Sequence, residues 1–144
     1  MERCSILLRR GVILQARIAP DLPSAIADRE KIELVLVNLA DNAMKYTPDN
    51  GRILFAAQRE GHFVRFRVTD TGPGIPPGER QRVFERFAQV SGDKVARRGF
   101  GLGLTYCRLA VERHGGRIWV EPGENGLGSC FVFTLPISPS TPDP

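Results

Sequence analysis

Val37-Asn38-Leu39-Ala40-Asp41-Asn42-Ala43-Met44-Lys45-Tyr46-Thr47 closes a run, from Ile32 to Ala40, that otherwise reads as the inside of a helix. Asn38, Asn42 and Lys45 stand at i, i+4 and i+7, so on a helix they share one face. A face turned to a core does not take amides and an ammonium unless something polar waits there. Ile32, Leu36, Leu39 and Ala43 mark a second, apolar stripe on the same helix. Asp28 is placed to cap its start, and Thr47-Pro48-Asp49-Asn50-Gly51 stops it.

Strand signals lie on either side. From Val12 to Ile18 apolar residues fall on every second position (Val12, Leu14, Ala16, Ile18), the period of a half-buried strand, until Ala19-Pro20-Asp21-Leu22-Pro23 breaks it. Residues 52–59 and 63–69 read as a hairpin turning at Glu60-Gly61, because Val64, Phe66 and Val68 alternate with Arg65, Arg67 and Thr69. The stretch 70–78 is too rich in Gly and Pro for regular structure, 79–87 is a short helix candidate, and no period holds over 89–101. A second long helix is predicted over 102–113, with Leu104, Cys107 and Val111 inward and His114-Gly115-Gly116 as a glycine stop. Residues 117–121 and 129–135 complete the pattern as two more strands. Strand, helix, hairpin, short helix, helix, hairpin predicts an α+β fold, a two-layer α/β sandwich rather than a doubly wound sheet. Residues 1–11 form a lead segment on this reading, 12–136 the domain, and 137–144 a disordered Pro/Ser tail.

A chain of 144 residues is long enough to bury about two thirds of the surface it exposes unfolded. Cys4, Cys107 and Cys130 form no C-x-x-C pair, which argues against a disulfide framework or a zinc site and makes a reducing, cytoplasmic setting the expectation. The net charge of +4 is scattered or paired with acids, so no nucleic-acid partner is expected. The apolar stretch from Ile6 to Leu8 is cut by Arg9-Arg10, too short for a signal segment or a span, so no direct membrane insertion is expected, while a larger parent assembly at a membrane stays open.

Three groups have chemical potential. Asp70 ends an alternating strand and opens Asp70-Thr71-Gly72-Pro73-Gly74, where glycines let a ligand approach the backbone. It is either an ordinary Asp-x-Gly turn or an acceptor for an exocyclic amine such as adenine's, which guanine lacks at the equivalent position. Gly99-Phe100-Gly101-Leu102-Gly103 precedes the second helix, and is either a flexible turn or a phosphate seat at a helix N-terminus. Asn42 offers an amide oxygen suited to Mg2+, Asn38 lies one turn earlier, and Lys45 can reach phosphate as a point charge; the competing reading is a solvated helix face. Between these groups, Phe84 and Phe87 are core anchors or part of a binding element, and Lys94, Arg97 and Arg98 are a solvated loop or phosphate contacts on a lid.

Taken together and in order, these segments resemble the catalytic, ATP-binding domain of sensor histidine kinases, within the gyrase, Hsp90 and MutL ATPase superfamily. The matching stretches are Asn38 to Pro48 (N box), Asp70 to Ile75 (first glycine box), Val83-Phe84-Glu85-Arg86-Phe87 (F box) and Gly99 to Leu104 (second glycine box). His114-Gly115-Gly116-Arg117-Ile118-Trp119-Val120 and Gly126-Leu127-Gly128-Ser129 match as well. The resemblance implies the Bergerat fold, a mixed sheet of about five strands backed by about three helices, with ATP and Mg2+ as cofactors. It implies Asn42 as metal ligand and Asn38, Asn42 and Lys45 as the catalytic set. Nucleotide contacts are implied for Lys45, Tyr46, Asp70, Gly72, Gly74, Ile75, Phe87, Arg98, Gly99, Gly101, Leu102 and Gly103. The implied partners are a phosphoacceptor histidine on a helical hairpin, from the same parent chain or a separate subunit, and a response regulator downstream.

Two departures bear on function. Gln89 stands where many members of the family carry an arginine suited to the γ-phosphate, and no phosphoacceptor motif precedes Val12; His62, in a turn, and His114, at a helix end, read as structural. Hydrolysing members carry a glutamate where this sequence has Asn38, which favours phosphoryl transfer to a protein histidine over ATP hydrolysis. Two other functions remain as alternatives, a serine/threonine kinase of the anti-sigma type and a nucleotide-binding docking module without transfer.

Overall fold

The computed structural model describes the backbone of residues 2–85 and 100–137 and the side chains of 4–85 and 103–137. Strands β1 (Glu2–Leu7), β2 (Ile13–Ile18), β3 (Arg52–Glu60), β4 (Phe63–Asp70), β5 (Ile118–Pro122) and β6 (Ser129–Pro136) form one sheet in the order β1-β2-β3-β4-β6-β5. β2 and β3 run parallel, and the other neighbouring pairs run antiparallel. Parallel neighbours cannot be joined by a tight turn. The chain therefore crosses between them through helix α1 (Arg29–Tyr46), which lies beside helix α2 (Phe100–Arg113) on one face of the sheet. This is the expected α+β two-layer sandwich with a mixed sheet.

The structure differs from the sequence reading in two places. The sheet has six strands where about five were expected, because β1 comes from the stretch read as a lead segment. Its sequence, Glu-Arg-Cys-Ser-Ile-Leu, lacks clean alternation; pairing makes it a strand, in an antiparallel register with β2 that runs from Glu2↔Ile18 to Leu7↔Ile13. The short helix expected over 79–87 is, in its described part, two 3-10 turns, Pro77–Glu79 and Arg82–Phe84. Pro76 and Pro77 stand at the N-cap and first position of the first turn, where a missing N–H costs nothing, and Arg80 Nε is drawn back to the Ile75 carbonyl. At the C-terminal end Ile137 bridges to Ala25, and the rest of the 137–144 tail lies outside the described residues.

Helix α1 forms where its caps and stripe require. Asp28 accepts a hydrogen bond from the Lys31 N–H at 3.2 Å, and that bond chiefly holds its carboxyl below the ordinary value. Ile32, Val35, Leu39 and Ala43 are the buried residues, while Leu34 and Val37 are exposed. They meet Val12, Ile53, Val68, Phe131, Phe133 and Leu135 of the sheet side and Cys107, Ala110 and Val111 of α2. Each fully buried Val, Leu or Phe contributes about 1.5–3 kcal/mol. Phe84 joins this core edge-on to Phe131, with ring centroids 5.9 Å apart.

The end of α2 is pinned to the start of α1. The Asp28 backbone N–H donates to His114 Nε2 at 2.9 Å, so the ring proton sits on Nδ1, which donates to the Ala110 carbonyl at 2.6 Å. Gly116 then admits β6, since a Cβ there would lie 1.8 Å from the Thr134 carbonyl oxygen. Replacing His114 with Ala is expected to lower the unfolding free energy by about 1–2 kcal/mol, for two lost hydrogen bonds. His62→Ala, in the exposed β3–β4 turn, is expected to change it by less than about 0.5 kcal/mol; urea unfolding of both variants checks the contrast.

Candidate functional site

Asp70 ends the central strand β4, paired with Ile53 of β3 on one side and Ser129 of β6 on the other. It is 3% exposed. Its Oδ1 accepts from the Gly72 N–H at 2.8 Å and the Ser129 N–H at 3.4 Å, and its Oδ2 accepts from Ser129 Oγ at 2.8 Å. Burial pushes the carboxyl pKa up, and these three bonds oppose the rise. An ionised carboxylate has about four lone-pair sites, so three donors leave room for one more.

Backbones crowd around this group. A Cβ on Gly128, at φ +69°, would lie 1.9 Å from the Asp70 carbonyl oxygen, and a Cβ on Gly72 would lie 2.5 Å from the Tyr46 carbonyl oxygen. The glycines thus bring the loop after β4 directly against the last turn of α1. Gly74 lies beside the Gly128 carbonyl, and Ile75 packs against the core with its carbonyl held by Arg80 Nε at 3.2 Å.

The polar face of α1 borders the same place. Asn38 and Asn42 are half-buried, whereas Lys45 and Tyr46 are exposed. Asn38 Oδ1 lies 3.0 Å from where a Cβ on Gly103 would stand, so glycine gives the amide its space against the first turn of α2. The structure therefore brings Asp70, Gly72, Gly74 and Ile75 against one end of α1, and brings Asn38 against Gly103. Gly101 and Leu102 belong to the first turn of α2, while Phe87, Gln89, Lys94, Arg97, Arg98 and Gly99 lie outside the described residues.

The donor set limits which metal the site suits. Among the described residues no group of three or more His, Cys, Asp and Glu side chains could hold an ion. The oxygens on this face are the amides of Asn38 and Asn42, hard donors few in number. That set fits Mg2+, which takes most of its shell from water and phosphate.

Ser129 ends the Gly126-Leu127-Gly128-Ser129 stretch, and nothing in that stretch signals its task. It stands 59 positions from Asp70 and gives that carboxylate both a backbone and a hydroxyl donor. A pairing so distant leaves no periodic trace in one sequence.

A sequence profile described as histidine kinase-, DNA gyrase B-, and HSP90-like ATPase matches residues 27–139. The chain belongs to this family, and as a member it is an ATP-binding domain. It is 44% identical over 128 residues to the adaptive-response sensory kinase SasA of Trichormus variabilis, covering 88% of this chain and 31% of that protein. The chain thus spans about a third of such relatives. Among solved structures it is similar to full-length ShkA in complex with AMPPNP, with TM-score 0.76 and 35% identity over 92% of this chain and 27% of that one. It is also similar to histidine kinase ThkA in complex with the response regulator protein TrrA, with TM-score 0.72 and 31% identity over 92% of this chain and 36% of that one. Among the described residues no helix is long and apolar enough to cross a membrane.

A raised carboxyl pKa has a definite sign. With its folded pKa above the unfolded value, near 3.8, Asp70 binds protons more tightly in the folded state, so its contribution to stability falls as pH rises through the folded pKa. The difference in unfolding free energy between the parent chain and Asp70→Asn is therefore expected to shift against the parent as pH rises from 3.8 into the neutral range. Urea unfolding across a pH series measures it.

Proposed function

We propose that the domain binds Mg2+-ATP between α1, the loop after β4 and the start of α2, and donates the γ-phosphate to a histidine on a phosphoacceptor helical hairpin. That hairpin belongs to another segment of a parent chain or to a separate subunit, and the phosphate passes on to a response regulator. The observation that carries the reading is Asp70, a buried carboxylate with acceptor capacity to spare, at a wall of glycine backbone beside the polar face of α1. The AMPPNP and response-regulator complexes of the similar kinases support it.

In this reading Asp70 accepts the adenine amine, Gly72 and Gly74 keep the wall free of side chains, and Ile75 supplies an apolar edge. Asn42 holds Mg2+ with Asn38 beside it, and Lys45 and Tyr46 meet the nucleotide at the exposed end of the helix. Gly99, Gly101 and Gly103 are assigned to the phosphates, Arg98 is a candidate cation for them, and Leu102 and Phe87 are assigned to the nucleotide site as apolar residues. Bound Mg2+ neutralises phosphate charge. Phosphoryl transfer depends mainly on positioning and charge neutralisation, so a domain without a water-activating base can still transfer. Asn38, an amide, is no such base. Of the two histidines, His114 has both ring nitrogens engaged and His62 sits in a hairpin turn, and in this reading the acceptor is the histidine of the separate helical hairpin. The free thiols of Cys4, Cys107 and Cys130 suit a reducing cytoplasm; burial pushes Cys107 up to about 12.

Incubating the chain with Mg2+-ATP labelled at the γ-phosphate and a separate dimerising histidine domain tests the proposal. Acid-labile label on the histidine domain is expected, with little free phosphate in its absence. Acid-stable label on Ser or Thr, rapid hydrolysis without an acceptor, or binding with no transfer would each overturn it.

A further inference from the structure

The connection between β1 and β2 reaches the far end of α1 through one side chain. Arg10 lies in a 3-10 turn, Arg9–Gly11, with φ 61°, a left-handed conformation that a non-glycine residue adopts at a cost. One terminal nitrogen of its guanidinium donates to the Thr47 carbonyl at 2.9 Å and to Asp49 Oδ1 at 3.1 Å, and the other donates to the Met44 carbonyl. Its own carbonyl accepts from the Asn50 N–H at 2.8 Å. Side chain and backbone thus hold the same short segment.

The place of this grip gives it meaning. The last carbonyls of a helix lack partners within it, and a cation there also meets the negative end of the helix dipole. Met44 and Thr47 bracket Lys45 and Tyr46. The Tyr46 carbonyl abuts Gly72, whose N–H donates to Asp70. The last turn of α1 is therefore held between Arg10 on one side and, on the other, the loop beside the buried carboxylate.

We propose that Arg10 is a positioning residue of the ATP site, a latch that sets the last turn of α1 against the loop after β4 and couples the β1–β2 connection to nucleotide affinity. It rests on the Mg2+-ATP reading above. Linkage makes the coupling reciprocal: a displacement of the connection lowers ATP affinity, and bound ATP steadies the connection. The fork of the guanidinium is what spans three acceptors, and an ammonium cannot reproduce it.

Calorimetric titration of the full chain with Mg2+-ATP, under conditions where urea curves show every variant folded, tests the latch. Arg10→Ala is expected to weaken binding roughly tenfold, the loss that follows when the last turn of α1 without its latch holds the binding-competent position about a tenth of the time. Arg10→Lys keeps the charge and is expected to recover less than half of that loss on a logarithmic scale. If the Ala variant does not fold, the Lys variant carries the test. Hydrogen exchange adds a readout that a purely structural cap would not move: Mg2+-ATP is expected to slow exchange of the Leu8 and Val12 amides, bonded to Val12 and Arg9 carbonyls, in the parent and not in Arg10→Ala. Asp70→Asn serves as the control. If the parent chain does not bind Mg2+-ATP, the ATP reading fails; if Asp70→Asn binds as the parent does, the adenine assignment of Asp70 fails; if Asp70→Asn binds weakly while Arg10→Ala binds like the parent, the latch alone fails. Parental affinity in Arg10→Lys, or stability lost with affinity and protection unchanged, overturns the latch.

Discussion

A carboxylate buried at the end of a central strand constrains the structure around it. Taking a charge out of water costs several kcal/mol unless it is hydrogen-bonded, so Asp70 needs donors within reach on more than one side. Gly72 supplies one and Ser129 supplies two, which requires that β4, β6 and the loop after β4 converge at one point. Gly128 permits the approach, because any larger residue would drive a Cβ into the Asp70 carbonyl oxygen. The result is a buried carboxylate ringed by close-packed backbone and the Ser129 hydroxyl, next to a hydrophobic core that includes Phe131 and Phe133.

The same arrangement explains why α1 has two characters. Its stripe from Ile32 to Ala43 is spent on the core, where Val35 and Leu39 are fully buried. Asn38 and Asn42 lie half-buried on another side, with Asn38 against Gly103. Half-burial keeps the desolvation cost of an amide moderate while leaving its oxygen usable. Packing sets the helix; packing also aims its polar face. The path from sequence to function therefore runs through the crossover from β2 to β3, which lays α1 beside β4, the strand that carries Asp70.

Much of this was legible in the sequence, for physical reasons particular to each element. Alternation in 12–18 and 63–69 marked strands because one face of each meets the core. Asp28, the apolar stripe and Pro48 bounded α1 to within a residue or two. The polar face of that helix was visible because amides interrupted an apolar run. What escaped were features with no local signature: β1, whose edge pairing comes from β2; the Asp70–Ser129 bonds, 59 positions apart; and the reach of Arg10 to Thr47, 37 positions apart. Over 79–85, the described part of the helix expected at 79–87, the chain forms 3-10 turns instead.

The central claim is that Asp70 reads an adenine amine. Its most direct test is the affinity of the chain for Mg2+-ATP against Mg2+-GTP, in the parent and in Asp70→Asn, since guanine lacks the amine at that position. A charged hydrogen bond of about 1.5–3 kcal/mol implies a preference for ATP of roughly ten- to over a hundredfold in the parent, largely lost in the variant. Equal affinity for the two nucleotides in the parent chain, or a preference for ATP that survives the substitution intact, would contradict the account.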